Sequence, residues 1–194
     1  MRIVAGSARG RRLKPPAQST RPTSDRVREA LFSSIESTLG ALGGRRVADL
    51  YAGSGAVGLE ALSRGASHVL LVEKDRKALE VVKTNIATVG LPHAVALGAD
   101  VTSLTSLAPP AIAVAPYDVV FLDPPYDVGD DVVATVLTGL AAHRWLGDGS
   151  LVVVERARPR RGGGFSWPEG YDPARDRDYG DTRVRTALWY RRDA

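Results

Sequence analysis

The 194-residue sequence contains no cysteine and only three histidines. Without cysteine the chain can form no disulfide bond, hold no iron–sulfur cluster and use no thiol as a nucleophile. His68, His93 and His143 are scattered, with none of the short spacings at which two side chains bind one metal ion. We therefore expect a protein that needs no metal.

Long apolar runs are also missing from the sequence. No stretch approaches the roughly 20 apolar residues needed to cross a bilayer, and the first ten residues, MRIVAGSARG, contain no apolar segment of signal-peptide length. Hydrophobic residues make up 44% and charged residues 25% of the chain, which is typical of a globular protein. These features predict a cytoplasmic protein with one sizeable domain.

Lysine is scarce, and the basic residues are unevenly distributed. Four lysines stand against 22 arginines. Residues 1–28 contain eight basic residues and one acidic residue, a net charge of +7, whereas residues 29–154 carry −6 and residues 155–194 carry +3. An acidic body with a basic arm is typical of a protein that binds a polyanion beside its active site. A solvated, arginine-rich surface is the alternative interpretation.

Short apolar runs, which predict strands, alternate with amphipathic segments, which predict helices. The predicted strands are 46–51, 68–73, 93–98, 117–122, 150–155 and 183–192, and the predicted helices run from 23–25 to Gly40 and over 56–65, 75–90 and 129–142. Residues 2–5 and 10–14 are expected to pair as a hairpin, and 102–116 and 158–181 are expected to be loops. This order predicts an α/β fold with a mostly parallel sheet, helices on both faces and an antiparallel C-terminal strand.

A glycine-rich loop follows the first strand of the predicted sheet. In DLYAGSGAVG (49–58), Gly53, Gly55 and Gly58 match G-x-G-x-x-G, in which glycines permit a tight turn and close approach to a ligand. Glu73 ends the next strand, where a carboxylate can accept hydrogen bonds from both ribose hydroxyls of an adenosine-containing cofactor. The sequence therefore predicts an adenosyl ligand at the carboxyl ends of the strands.

The acids near this loop favour S-adenosylmethionine over a dinucleotide. Asp49 directly precedes the loop, where a carboxylate would repel a diphosphate but attract a cationic sulfonium and ammonium. Asp100 ends the third strand and could accept a hydrogen bond from the adenine amino group. The alternative is that Asp49 and Asp100 only cap turns.

The segment DPPY, which ends the fourth predicted strand, fits a planar amine. Asp123 and the carbonyl of Pro124 could accept hydrogen bonds from an exocyclic amino group and hold its nitrogen in line with a methyl donor. They would also stabilise the positive charge that develops during transfer, and Tyr126 supplies a flat surface on which a base can stack. A simple proline turn with a packed tyrosine is the alternative.

The combination of DLYAGSGAVGLEALSRGA, VEKD and DPPY resembles the class I S-adenosylmethionine-dependent methyltransferases with a (D/N)-P-P-Y motif. RIVAGSARGRRLKPP and RPTSDRVREALFSSI are similar, more narrowly, to the RsmD family, which methylates N2 of a guanine, nominally guanine 966, in bacterial 16S ribosomal RNA. The resemblance covers nearly the whole chain. It implies a Rossmann-like fold, S-adenosylmethionine as cofactor, and the assembling small ribosomal subunit as substrate.

The resemblance also implies a role for each motif residue. It implies cofactor contacts for Asp49, Gly53, Gly55, Glu73 and Asp100, and methyl-acceptor binding for Asp123, Pro124 and Tyr126. Tyr51 stands where many relatives are expected to have phenylalanine.

The resemblance and the charge distribution both place RNA at the basic arm. We expect phosphate contacts from Arg2, Arg9, Arg11, Arg12, Lys14 and Arg21. Residues 21–23, including Thr23, are expected to close over the methionine end of the cofactor. The predicted organisation is a basic arm, 1–22, followed by a methyltransferase domain, 23–194, that acts as a monomer.

Three alternatives remain open from the sequence. The first is another amino-methyltransferase, acting on adenine N6 or cytosine N4 of DNA or on a protein glutamine, although DNA enzymes usually need more chain and glutamine enzymes typically have N-P-P-Y. The second is a nicotinamide-dependent oxidoreductase, which would leave D-P-P-Y unexplained. The third is a catalytically silent RNA-binding assembly factor, which would have no need of Asp49, Glu73 and Asp123.

Overall fold

The computed structural model describes residues 1–15, 25–158 and 165–192. Seven strands lie in one sheet: β1 (Arg46–Asp49), β2 (His68–Val72), β3 (Ala94–Leu97), β4 (Tyr117–Leu122), β5 (Leu146–Ala157), β6 (Tyr171–Tyr179) and β7 (Thr182–Trp189). The helices are α1 (Asp25–Leu39), α2 (Ala56–Ser63), α3 (Arg76–Val89), α4 (Val101–Thr105) and α5 (Asp130–Ala142), with a 3₁₀ turn at Ala111–Ala113. In the described part of the chain, no helix is long and apolar enough to span a membrane.

The strand order is β3-β2-β1-β4-β5-β7-β6. Strands β1 to β5 are parallel to one another, whereas β7 is antiparallel to both β5 and β6. The reversal between β1 and β4 leaves a crevice at the carboxyl ends of the strands, which is where open α/β sheets bind ligands. The predicted α/β fold with an antiparallel C-terminal strand is therefore confirmed.

The two faces of the sheet form two separate cores because side chains alternate along each strand. Val47, Val119 and Val153 belong to the core beneath α1, α2 and α3. Ala48 and Val120 belong to the core beneath α4 and α5. The near-continuous apolar runs of the parallel strands follow from this double coverage.

The described part of the basic arm packs against the body of the protein. Its two segments pair as predicted, with a bridge between Arg2 and Arg12, although the pairing is too short to form regular strands. Ile3 and Leu13 are buried in the core beneath α1 to α3. The carboxylate of Glu60, on α2, accepts hydrogen bonds from two backbone N–H groups of this segment.

The two predicted loops require correction. Residues 102–116 contain most of α4 and the 3₁₀ turn, and Asp100 caps α4 by accepting a hydrogen bond from the N–H of Ser103 (3.1 Å). Residues 158–181 contain β6, which is an exposed edge strand rich in charge. Pro173 lies next to an irregularity in the pairing of β6 with β7, as expected of proline in an edge strand. The sequence pattern failed there because an exposed edge strand needs no alternation of apolar residues.

Candidate active site

The glycine loop between β1 and α2 depends on backbone conformations that favour glycine. Gly53 and Gly55 have φ angles of 56° and 78°, in the left-handed region that side chains disfavour. Gly58 serves a different purpose, since a Cβ there would lie 2.8 Å from Cδ2 of Leu71. The third glycine therefore allows α2 to pack directly on β2, and the loop remains close to the end of β1.

A row of carboxyl groups crosses the sheet at the carboxyl ends of its strands. Asp49 ends β1, whereas Glu73 directly follows β2 and Asp123 directly follows β4. The alternation along the strands places these three residues on the side of α1 to α3. Electrostatic interactions of Asp49 with both Glu73 and Asp123 link the three groups. The structure therefore brings these three acids together at the carboxyl ends of the strands.

Asp49 is the most deeply buried member of the row. Burial raises the pKa of its carboxyl to about 7, against a hydrogen bond from the Gly58 N–H (3.0 Å) that lowers it. The negative charges of Asp123 and Glu73 raise this pKa further. A cation placed beside Asp49 would relieve this unfavourable burial, whereas an anion would increase it.

Glu73 and Asp100 are both held by neighbouring groups. The Glu73 carboxylate accepts hydrogen bonds from the N–H groups of Gly53 (2.9 Å) and Asp75 (2.8 Å), so it fixes the glycine loop to the start of α3. Asp100 is paired with Lys74 at 2.8 Å, and this hydrogen bond lowers the pKa of the Asp100 carboxyl. Asp100 therefore caps α4 and pairs with Lys74, and its expected contact with adenine stays a prediction.

The segment from Asp123 to Tyr126 forms the opposite side of the crevice. Pro124 is buried, whereas Tyr126 is 60% exposed. Part of Asp123 is open to solvent, but the surrounding protein desolvates its carboxyl and raises the pKa to about 6. The segment thus presents a carboxylate and a free aromatic face next to one another.

Two neighbouring residues of β5, missed by the sequence analysis, also contribute to this site. Arg156 donates hydrogen bonds to the Val128 carbonyl (2.7 Å) and to the Asp130 carboxylate (3.1 Å), and so holds the chain that follows Tyr126. Glu155 is half-buried and interacts electrostatically with Asp123. The sequence contains a signal for Glu155, because this acid ends the apolar run SLVVVE in the same way that Glu73 ends the apolar run before it.

The basic residues of the arm differ in their contacts with the rest of the protein. Asn85 connects the backbone of Lys14 to the carbonyl of Ser54 in the glycine loop. Arg2 pairs with Asp25, and the Arg11 guanidinium donates hydrogen bonds to the last carbonyls of α3. Arg9 and Arg12 are exposed. Arg21 and Thr23 lie outside the described residues.

The crevice fits a cationic adenosyl ligand better than a dinucleotide. Burial raises the pKa of Asp49 and the negative charges of Asp123 and Glu73 raise it further, so a positive charge beside these groups would be favoured. Glu73 and the Gly53 backbone lie at the carboxyl ends of the strands, where open α/β sheets bind ligands. Within residues 1–15, 25–158 and 165–192, no group of three or more His, Asp or Glu side chains could hold a metal ion.

This sheet order, with a glycine loop after β1 and acids at the strand ends, defines the class of Rossmann-like methyltransferases. Comparison with solved structures gives the same class. A "Putative methyltransferase yhhF from Escherichia coli" superposes with a TM-score of 0.84 at 32% sequence identity, over 98% of each chain.

The family follows from sequence comparison. The family model described as "Conserved hypothetical protein 95" matches residues 1–188. The "Putative rRNA methyltransferase YlbH" of Bacillus subtilis is 39% identical over 160 residues, which cover 81% of this chain and 83% of that protein. The "Ribosomal RNA small subunit methyltransferase D" of Escherichia coli K12 is 36% identical over 156 residues, covering 80% and 74%. The chain therefore belongs to this family, that of the RsmD-type methyltransferases.

Proposed function

We propose that the protein transfers a methyl group from S-adenosylmethionine to the exocyclic N2 amine of a guanine, nominally guanine 966, in 16S ribosomal RNA of the small subunit. The names of the relatives support ribosomal RNA as the substrate class. The observation that carries the proposal is the convergence of Asp49, Glu73 and Asp123 beside a segment that exposes an aromatic ring.

In this proposal, the residues of the crevice bind different parts of the cofactor. Glu73 accepts hydrogen bonds from the ribose, Asp49 stabilises the cationic end, and Gly53 and Gly55 allow the backbone to approach. Asp100 is assigned to the adenine amino group, for which it must share its carboxylate with Lys74. When bound, S-adenosylmethionine supplies an electrophilic methyl group on a positively charged sulfur.

Asp123 and Pro124 orient the methyl acceptor. The carboxylate of Asp123 and the carbonyl of Pro124 accept hydrogen bonds from the two N–H groups of the amine, so that the lone pair of its nitrogen faces the methyl donor. The raised pKa of Asp123, about 6, makes this carboxylate a suitable acceptor for the proton that the amine loses after transfer. Tyr126 stacks against the flipped base.

The basic arm, 1–22, is assigned to the RNA backbone, and the domain 23–194 to catalysis. Arg9, Arg12 and Lys14 are exposed and form no hydrogen bond or ion pair through their side chains with the described residues, which leaves them available for phosphates. Arg2 and Arg11 already contact protein groups, so they are weaker candidates. Arg21 is retained as a candidate from the sequence, as is Thr23 for the cofactor. The proposal further includes a monomer acting on assembling subunits in the cytoplasm.

Methyl transfer from tritiated S-adenosylmethionine tests this proposal. The acceptors are unmethylated small ribosomal subunits, naked 16S RNA and duplex DNA, and the variants are Asp123→Ala and, as a control on the same loop, Asp127→Ala. We expect label on subunits that maps to N2 of one guanine and falls at least about 100-fold in Asp123→Ala only. Label on DNA alone would contradict the substrate, and cofactor binding without any transfer would favour an assembly factor.

A further inference from the structure

Glu155 lies beside Asp123 at the end of the neighbouring strand. Strand β5 is parallel to β4, and Leu122 of β4 pairs with Val154 of β5, so that Asp123 and Glu155 are the next residues along the two strands. Adjacent strands are about 4.8 Å apart. Phe121 and Val153 belong to the core beneath α1 to α3, and alternation brings the two carboxyl groups to this same side. The pair therefore faces the crevice rather than the core beneath α5.

Neither carboxyl group of this pair has a hydrogen-bond donor among the described residues. Arg156, on β5 itself, interacts electrostatically with Asp123 and lowers the pKa of that carboxyl, but its side chain alternates to the other side of the strand and donates to Val128 and Asp130. On the other neighbouring strand, β7, Glu155 is opposite Val184, which offers no charge. The other charged groups of the crevice are Asp49 and Glu73, which have N–H donors of their own, and Asp100, which is paired with Lys74.

We propose that Glu155 is a specificity-determining residue, which together with Asp123 accepts hydrogen bonds from the adjacent N1–H and N2–H groups of a guanine and so selects guanine. The inference rests on the proposed function, because it assigns a second contact to the same substrate base. Guanine presents these two donors side by side on its Watson–Crick edge. Adenine has a ring-nitrogen acceptor at N1, which would face a carboxylate unfavourably.

The protonation of the pair agrees with this role. Burial raises the pKa of Glu155 to about 8, with the charge of Asp123 adding to the shift, and burial raises that of Asp123 to about 6. Because both pKa values are raised, the pair takes up a proton more readily than two free carboxyl groups before the base arrives. Hydrogen bonds from two N–H donors favour the ionised form of both groups. Binding of guanine then releases this proton to solvent, and no other bond is made or broken.

The test compares guanine with 2-aminopurine, which keeps the N2 amine but has an acceptor at N1. Small subunits are reconstituted with 16S RNA that carries either base at the position that the wild-type protein methylates. The variants are Glu155→Gln, which preserves the shape of the side chain, and Glu155→Asp, which preserves its charge. Glu169→Gln, at an exposed site remote from the crevice, is the control.

We expect Glu155→Gln to lower kcat/KM for guanine about 10- to 100-fold, while kcat/KM for 2-aminopurine stays the same or rises, because an amide can donate to N1. Glu155→Asp should keep more of the preference for guanine than Glu155→Gln, and the affinity for S-adenosylmethionine should be unchanged in both. An equal loss on the two bases would overturn the inference while leaving the proposed function intact. Absence of N2 methylation by the wild-type protein would overturn both.

Discussion

Burial of the Asp49 carboxyl costs the folded protein stability whenever this group is ionised. Its pKa rises from an ordinary value of 3.8 to about 7 on folding. Because the folded state binds the proton more tightly, the contribution to stability is fully present below about pH 4 and is lost as the pH rises through 7. Each pKa unit corresponds to about 1.4 kcal/mol. The buried carboxyl of Asp49 therefore does not stabilise the folded protein at neutral or higher pH.

Asp49→Asn should accordingly stabilise the protein at high pH. We expect an increase in the free energy of unfolding at pH 8 of up to about 4 kcal/mol, and little change at pH 4, where the carboxyl of the wild-type protein is protonated. Urea unfolding of both proteins at the two pH values measures this difference. A variant that is less stable than the wild-type protein at pH 8 would contradict burial as the cause of the raised pKa of Asp49.

The candidate site could be predicted from sequence wherever an acid directly follows a short apolar run. Asp49, Glu73 and Asp123 were found in this way because a parallel strand buried on both faces leaves polar residues only at its end. Glu155 has the same pattern. The sequence pattern predicts a strand over 150–155 that ends at this acid but assigns the acid no role, and in the structure β5 continues beyond it to Ala157.

At the scale of elements, the contact between α2 and β2 depends on the absence of a side chain at Gly58. A Cβ at this position would lie 2.8 Å from Leu71 Cδ2 and 2.9 Å from Val69 Cγ1, and both residues are fully buried. Gly58→Ala should therefore lower the free energy of unfolding by about 1–3 kcal/mol. Gly43→Ala is the matched control, since nothing would lie within 4 Å of a Cβ there. Equal stability of the two variants in urea would contradict this packing.

The attachment of the arm to α2 depends on the buried carboxylate of Glu60. This group accepts hydrogen bonds from Val4 and Ala5 and forms ion pairs with Arg64 (2.9 Å) and Arg28 (3.7 Å). Glu60→Gln removes one carboxylate from Arg28 and Arg64, which keep Asp25 (2.8 Å) and Glu36 (3.3 Å) as partners, and we expect a loss of about 1–3 kcal/mol.

Asp178→Asn, at an exposed ion pair of β6, is the comparison for Glu60→Gln. It should cost much less stability than Glu60→Gln, because solvent screens this exposed ion pair. Hydrogen exchange of residues 1–15 should increase in Glu60→Gln and stay unchanged in Asp178→Asn. Unchanged protection of the arm in Glu60→Gln would show that the arm is held by its apolar residues instead.

The elements themselves were predictable to different extents. Strands β1, β2 and β4 are short apolar runs between turn signals, and α3 has both of its ends marked, by Asp75 as N-cap and Gly90 as C-cap. Strand β6 carries charge at most positions, and its stability comes from pairing with β7 and from ion pairs such as Asp178 with Arg183. Because such pairing depends on a distant segment, no local pattern indicates it.

At the scale of the whole molecule, the proposed function assigns the RNA backbone to the basic arm and the reacting centre to the acidic body. Replacing Arg9, Arg12 and Lys14 by alanine should weaken binding to small subunits and reduce the slope of log K against log salt by about two. Cofactor affinity should be unchanged. The matched control is the triple alanine variant of Arg144, Arg191 and Arg192, which lie on the β5 and β7 side of the sheet. Equal salt dependence of the two variants would contradict a role for the arm.

The central claim is that the row of strand-end acids is a site for a cationic adenosyl ligand. The most direct test is a calorimetric comparison of S-adenosylmethionine and NAD⁺ binding at pH 8, where Asp49 is ionised. We expect S-adenosylmethionine to bind at least about 100-fold more tightly than NAD⁺, because the diphosphate of NAD⁺ would face three carboxylates. Equal or tighter binding of NAD⁺ would contradict the assignment of this site to a cationic ligand.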